Sequence, residues 1–200
     1  MTPPRIGVFG GAFDPPHYAH LALAQAAVAQ LQLDTLYIVP TGQAWHKART
    51  LTAAQHRMAM TQLAFAGIAR TRVDGREIAR TGPSYTIDTL RALQAEHPAA
   101  QLYLMMGYDQ ALALTTWHCW QDIVQLAIIC VAPRPVAYDK QSQSLENCAH
   151  GPAIVHLQMP SMPLSATQIR QKIALQQPID ALVPDAVVRY IDQHHLYQST

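Results

Sequence analysis

The sequence predicts an α/β protein: a doubly wound parallel sheet with helices on both faces and a short helical addition after the last strand. Three observations predict it. Short β-rich apolar runs alternate with stretches of helical period along the chain, as in strands joined by crossover helices. The first of these runs ends in a glycine pair and leads directly into a helical pattern. Half of the 200 residues are hydrophobic and 14% are charged, which suits one domain with a substantial core spanning 1–200.

The elements follow in order. Arg5–Gly10 reads as a buried strand, and 20–33 as a helix with Leu21, Ala24, Val28 and Leu31 on one stripe. Thr35–Pro40 is the second strand. A helix opening at Thr52, with Gln55 completing a capping box, turns Met58, Leu63 and Phe65 inward. A short extended segment lies within 72–78. Ser84 or Thr86 caps a helix that Pro98 ends near His97. Gln101–Met106 is a strand, followed by two short helices, 108–115 and 119–126, with Trp117 between them. Ala127–Ala132 is the next strand, 134–151 a long loop, and Ala153–Met159 the last strand. Ser165 and Gln168 form a capping box on a helix to Leu175, and Pro184 opens a final helix ending near His195.

Composition excludes several classes. A net charge of +1 offers no general attraction for nucleic acid or acidic membranes. Seven of the fourteen Lys and Arg residues lie between Lys47 and Arg80, which reads mainly as a solvated helix face. Cys119, Cys130 and Cys148 have no paired spacing, so neither a disulfide framework nor a zinc site is expected, and Cys130 reads as core. No secretory or membrane-spanning stretch is present, so a cytoplasmic location is expected. Oligomeric state is not readable.

Gly10-Gly11-Ala12-Phe13-Asp14-Pro15-Pro16-His17-Tyr18-Ala19-His20 leaves a strand and enters a helix. That places it at the carboxyl edge of the sheet, where doubly wound folds bind ligands. The glycines allow close backbone approach. A helix start supplies N–H groups and partial positive charge for phosphate, and His17 and His20 share one helical face. The segment resembles the G-G-x-F-D-P-x-H-x-G-H motif of bacterial nicotinate-nucleotide adenylyltransferases, in the H-x-G-H nucleotidylyltransferase superfamily with its Rossmann-like core. Ala19 stands where that family has glycine.

Further segments resemble the same family in the same order. They are Pro83-Ser84-Tyr85-Thr86, Gly107-Tyr108-Asp109, Thr116-Trp117 and Leu164-Ser165-Ala166-Thr167-Gln168-Ile169-Arg170. The resemblance implies transfer of the adenylyl group of ATP to nicotinate mononucleotide, giving deamido-NAD and pyrophosphate. It implies that His17, His20 and Arg170 are catalytic, with Gly10, Gly11, Phe13, Ser165 and Thr167 at the ATP phosphates. His46 and Lys47 join them, although Ala44 and Trp45 replace the family's prolines. Thr86, Tyr85, Asp109, Trp117 and Arg134 would hold the mononucleotide, with Trp117 stacking on the pyridine ring. The family often has tyrosine at the position of His118. Mg2+ is expected on the ATP phosphates, with no dedicated protein metal site and no nucleic-acid or membrane partner. The competing readings are a sibling enzyme for another phosphate acceptor, a non-catalytic nucleotide-binding module, and a tRNA synthetase fragment.

Overall fold

Strand positions of alternating direction decide which face each apolar side chain covers. In β2 (Thr35–Pro40), Leu36 and Ile38 join one buried cluster while Tyr37 and Val39 join another. A strand apolar on both sides belongs inside a sheet covered twice. The computed structural model, which describes residues 2–43, 51–132 and 154–198, has this architecture. Strands β1 (Arg5–Gly11), β2, β3 (Thr71–Val73), β4 (Gln101–Met106), β5 (Ala127–Val131) and β6 (Ile154–His156) form a six-stranded parallel sheet in the order β3-β2-β1-β4-β5-β6. The order reverses between β1 and β4, so their carboxyl ends open a crevice.

Helices divide between the two faces. On one lie α1 (Tyr18–Gln30) and α2 (Ala54–Phe65), together with α7 (Ala166–Ala174) and α8 (Asp185–Gln193) beyond the last strand. Leu23, Ala24, Ala27, Met60, Phe65, Ile169, Val187 and Ile191 carry their packing against Phe9, Ile38 and Met105. On the other face, α4 (Thr86–Glu96) and α6 (Trp120–Leu126) supply Ile87, Leu90, Leu93 and Ile123 against Val8, Leu104 and Val131. The smaller α3 (Arg76–Ala79) and α5 (Tyr108–Leu112), and a 3-10 turn at Leu114–Thr116, fill the crossovers. Cys130 is fully buried, as its apolar setting predicts.

Several local expectations need correction. Thr52 does not cap α2; its N–H donates to the Asp14 carboxylate, and Ala53 takes the cap position. The inward face of α2 is Arg57, Met60, Thr61, Ala64 and Phe65, and Leu63 is exposed. Neither Ser84 nor Thr86 caps α4: Tyr85 stands at the cap, and the Ser84 hydroxyl accepts from the Gly42 N–H at 3.1 Å. The predicted 108–115 helix divides into α5 and the 3-10 turn, and the last strand shortens to Ile154–His156. The charged run between Lys47 and Arg80 is not uniformly a solvated face. Arg57 is buried, and Arg76 pairs with Asp74 and Glu96. At α7 the expected cap stands, with Ser165 Oγ accepting from the Gln168 N–H at 3.2 Å. The predicted 134–151 loop lies outside the described residues.

Candidate active site

A cleft of about 520 Å³ opens at the carboxyl ends of β1 and β4, within the size range of small-molecule sites. One wall is Gly10, Gly11, Ala12, Ala19 and His20; the other is Tyr85, Thr86, Trp117 and His118. Met105 and Met106 form its floor. A β-carbon added at Gly10 would meet no heavy atom within 4 Å. Glycine there leaves space open to the cleft rather than relieving a packing conflict.

The two histidines occupy different layers. His17 is the N-cap residue of α1, and its N–H donates to His20 Nδ1 at 3.1 Å. An accepting Nδ1 carries no proton, so the neutral His20 ring holds its proton on Nε2. His20 lines the cleft. Beneath it, the His17 ring stacks at 3.7 Å between centroids. His17 is buried, and burial lowers its pKa from 6.5 to about 4, which keeps the ring neutral at physiological pH. Its Nδ1 has no hydrogen-bond partner among the described residues. Phe13 is buried as well, with a left-handed backbone (φ 46°) and its ring edge-on to both Phe9 and His20. It supports the wall without lining it.

Arg170 reaches the same loop from α7. Its Nη1 donates to the Asp14 carbonyl at 2.8 Å and its Nη2 to Thr167 Oγ1 at 3.0 Å. Arg170, Ser165 and Thr167 thus stand beside the His17–His20 wall but are not among the residues lining the cleft. On the opposite wall, the Tyr85 and His118 rings lie 4.3 Å apart, 35° from parallel. With Trp117 they make an aromatic surface at the start of α4. Asp109 is exposed on α5, two residues past the cleft-lining Gly107. His46, Lys47 and Arg134 lie outside the described residues.

Three participants are absent from the sequence-based set. Arg57 is 1% exposed and donates from Nε to Thr52 O (2.8 Å), from Nη1 to Ala12 O (3.0 Å) and from Nη2 to Gly42 O (3.3 Å). Its spacing of three from Met60 and seven from Ala64 was the available signal. Asp14 is equally buried and accepts from the Tyr197 hydroxyl at 2.7 Å. Glu77 lines the cleft, accepts from the Thr89 hydroxyl at 2.8 Å, and has its carboxyl pKa raised by burial. Its backbone carbonyl packs so close to Gly42 that a β-carbon at Gly42 would overlap it. Among the described residues, no three His, Cys, Asp or Glu side chains gather as a metal site.

Comparison with known proteins places these features in a wider set. Residues 8–172 match the cytidylyltransferase-like family. The chain is 53% identical to a probable nicotinate-nucleotide adenylyltransferase of Albidiferax ferrireducens over 98% of both chains. It is 44% identical to one from Methylibium petroleiphilum, covering 96% of this chain and 92% of that one. In fold it resembles Plasmodium falciparum nicotinic acid mononucleotide adenylyltransferase solved with NaAD, with TM-score 0.81, 19% identity and 97% of each chain covered.

Proposed function

The chain belongs to the nicotinate-nucleotide adenylyltransferases, within the cytidylyltransferase-like family, and from that premise we propose how its own residues carry the reaction. Its activity is nicotinate-nucleotide adenylyltransferase activity, forming deamido-NAD. In the reaction proposed, the 5′-phosphate of nicotinate mononucleotide attacks the α-phosphorus of ATP. The new phosphoanhydride bond forms as the bond to the β-phosphate breaks, and pyrophosphate leaves with that electron pair. The attacking phosphate is already ionised, so neither a general base nor a covalent enzyme intermediate is needed. Alignment and charge stabilisation supply the catalysis, and alignment alone is worth about 7–11 kcal/mol in favourable cases.

One observation carries the assignment of roles: the glycine wall with His20 and the α4 start with its aromatic surface face the same cleft. Gly10 and Gly11 leave room for phosphate against the backbone, and His20 Nε2–H donates to the reacting phosphate. His17 backs that ring. Arg170, with Ser165 and Thr167 at the start of α7, binds the outer phosphates, and Phe13 holds the loop beneath them. His46 and Lys47, after β2, add positive charge to the triphosphate. On the other wall, N–H groups at the start of α4 and the Thr86 hydroxyl take the nicotinate carboxylate. Trp117 and Tyr85 flank the pyridine ring, Asp109 accepts from ribose hydroxyls, and Arg134, after β5, meets the mononucleotide phosphate. When bound, magnesium would neutralise charge on the phosphate chain. The cleft would suit an ion carried on substrate oxygens and water, since the Glu77 carboxylate in its lining is already engaged by the Thr89 hydroxyl. No helix among the described residues is long and apolar enough to cross a membrane. The proposed location is the cytoplasm.

Pyrophosphate release from ATP, magnesium and a panel of mononucleotides tests the reading. Nicotinate mononucleotide should exceed the nicotinamide form by roughly tenfold or more in kcat/KM, because the amide leaves an anion site unfilled. Equal values would remove the carboxylate assignment at α4. The variant His20→Ala should lose about 10²–10³ in kcat while unfolding near the wild-type temperature. Unchanged turnover in that variant would end the role given to His20.

A further inference from the structure

The loop between β1 and α1 is held from outside by groups that are distant in sequence. Arg57 of α2 binds the Ala12 carbonyl, and Arg170 of α7 binds the Asp14 carbonyl. The Asp14 carboxylate accepts from the Thr52 N–H at 3.3 Å and from the Tyr197 hydroxyl at 2.7 Å. Tyr197 follows α8 with a left-handed backbone (φ 63°), and its hydroxyl sits 3.9 Å from Met60 Sδ of α2. Leu196 and Tyr197 pack against the α1/α2 cluster. One residue into α1, the Tyr18 N–H donates to Leu182 O, in the segment joining α7 to α8. The first helical turn and the loop that feeds it are therefore tied to the same late part of the chain.

We propose that Tyr197 is a positioning residue for adenylyl transfer: through Asp14 it holds the Gly10–His17 loop in the shape that presents His20 to ATP. The proposal rests on reading that loop as the phosphate-binding wall. Asp14 is 1% exposed and does not line the cleft, so the pair acts on the loop rather than on substrate. A hydrogen bond to a buried carboxylate is stronger than one between neutral groups. Its loss loosens a loop whose catalytic value is alignment. The hydrogen bonds described for the pair run to Thr52, Met60 and Arg170 rather than to α4 or Trp117, so the mononucleotide wall should be unaffected.

The test compares Tyr197→Phe, Asp14→Asn and the double variant in the intact enzyme. Each single variant should lower kcat by about tenfold, with KM for the mononucleotide within about twofold of wild type. The double variant should be no worse than the poorer single one, as expected when both residues act through one bond. Amide hydrogen exchange of the free enzyme gives a readout independent of turnover. In Tyr197→Phe, exchange at 10–14 should quicken by about tenfold, while exchange at 86–90 stays as in wild type. Wild-type exchange at 10–14, or multiplying effects in the double variant, would overturn the proposal. An enzyme that shows the exchange change but releases no pyrophosphate, even as wild type, would instead overturn the phosphate-loop reading and leave the brace standing.

Discussion

His17 and His20 stand three positions apart, and one layer of burial gives them different chemistry. His20 faces the cleft with Nδ1 already accepting from the His17 backbone, while burial takes His17 down to a pKa of about 4. An unfolded chain protonates this histidine below about 6.5, and the folded chain resists until about 4. Stability is therefore lost as pH falls from 6.5 to 4, because the unfolded state binds the proton first. At roughly 1.4 kcal/mol per pKa unit the loss is about 3 kcal/mol. Urea unfolding at pH 7 and pH 4 should show a fall about that much smaller in His17→Gln than in wild type. Equal falls would mean that His17 is not held neutral. The family motifs pointed to the histidine pair, the glycines, Tyr85, Thr86 and Trp117, and the structure brings Gly10, Gly11, His20, Tyr85, Thr86 and Trp117 to one cleft with His17 stacked behind His20. The sequence did not disclose Arg57 or Asp14. Their partners lie 5 to 183 positions away; the helical spacing of Arg57 from Met60 and Ala64 marks its buried side, but no local pattern shows the carbonyls it binds.

The four inner strands were readable almost to the residue because a doubly buried strand is a short apolar run with clear breaks, whereas the edge strands β3 and β6 are shorter and less sharply bounded in the sequence. Helix starts were less readable. A Ser or Thr before a helix reads as a cap, yet Thr52 and Ser84 both bind across the fold, to Asp14 and Gly42. The first ties the start of α2 to the loop after β1, and the second ties the chain just after β2 to the start of α4. Gly42 is the joint: its N–H binds Ser84, its carbonyl receives Arg57, and its α-carbon lies against the Glu77 backbone. In Gly42→Ala the added methyl meets backbone, which cannot swing aside as a side chain tip does. Overpacking of this kind costs about 1–3 kcal/mol. The shift should push Glu77 and Ser84 away from the α4 start, raising KM for the mononucleotide severalfold. Urea unfolding together with steady-state kinetics checks both halves. A variant with wild-type stability would show that the β2 end and α3 are not in firm contact.

Across the whole molecule, the reversal of strand order between β1 and β4 sends their following helices to opposite faces of the sheet. The glycine wall therefore rests on the face built by α1, α2, α7 and α8, and the aromatic wall on the face built by α4 and α6. Each proposed substrate then has its own packed layer, and the two meet only at the crevice. Binding to the native state alone stabilises it by about 2.7 kcal/mol at a ligand concentration one hundred times Kd. Local protection from exchange should reveal where that energy enters. A non-hydrolysable ATP analogue should slow exchange at 10–20 and 165–170, and nicotinate mononucleotide alone at 85–90 and 114–118. The reaction geometry follows from this division, because a phosphate arriving from the β4 side approaches an α-phosphorus held on the β1 side. If mononucleotide alone protects 165–170 and leaves 85–90 unchanged, the two walls have been given the wrong substrates.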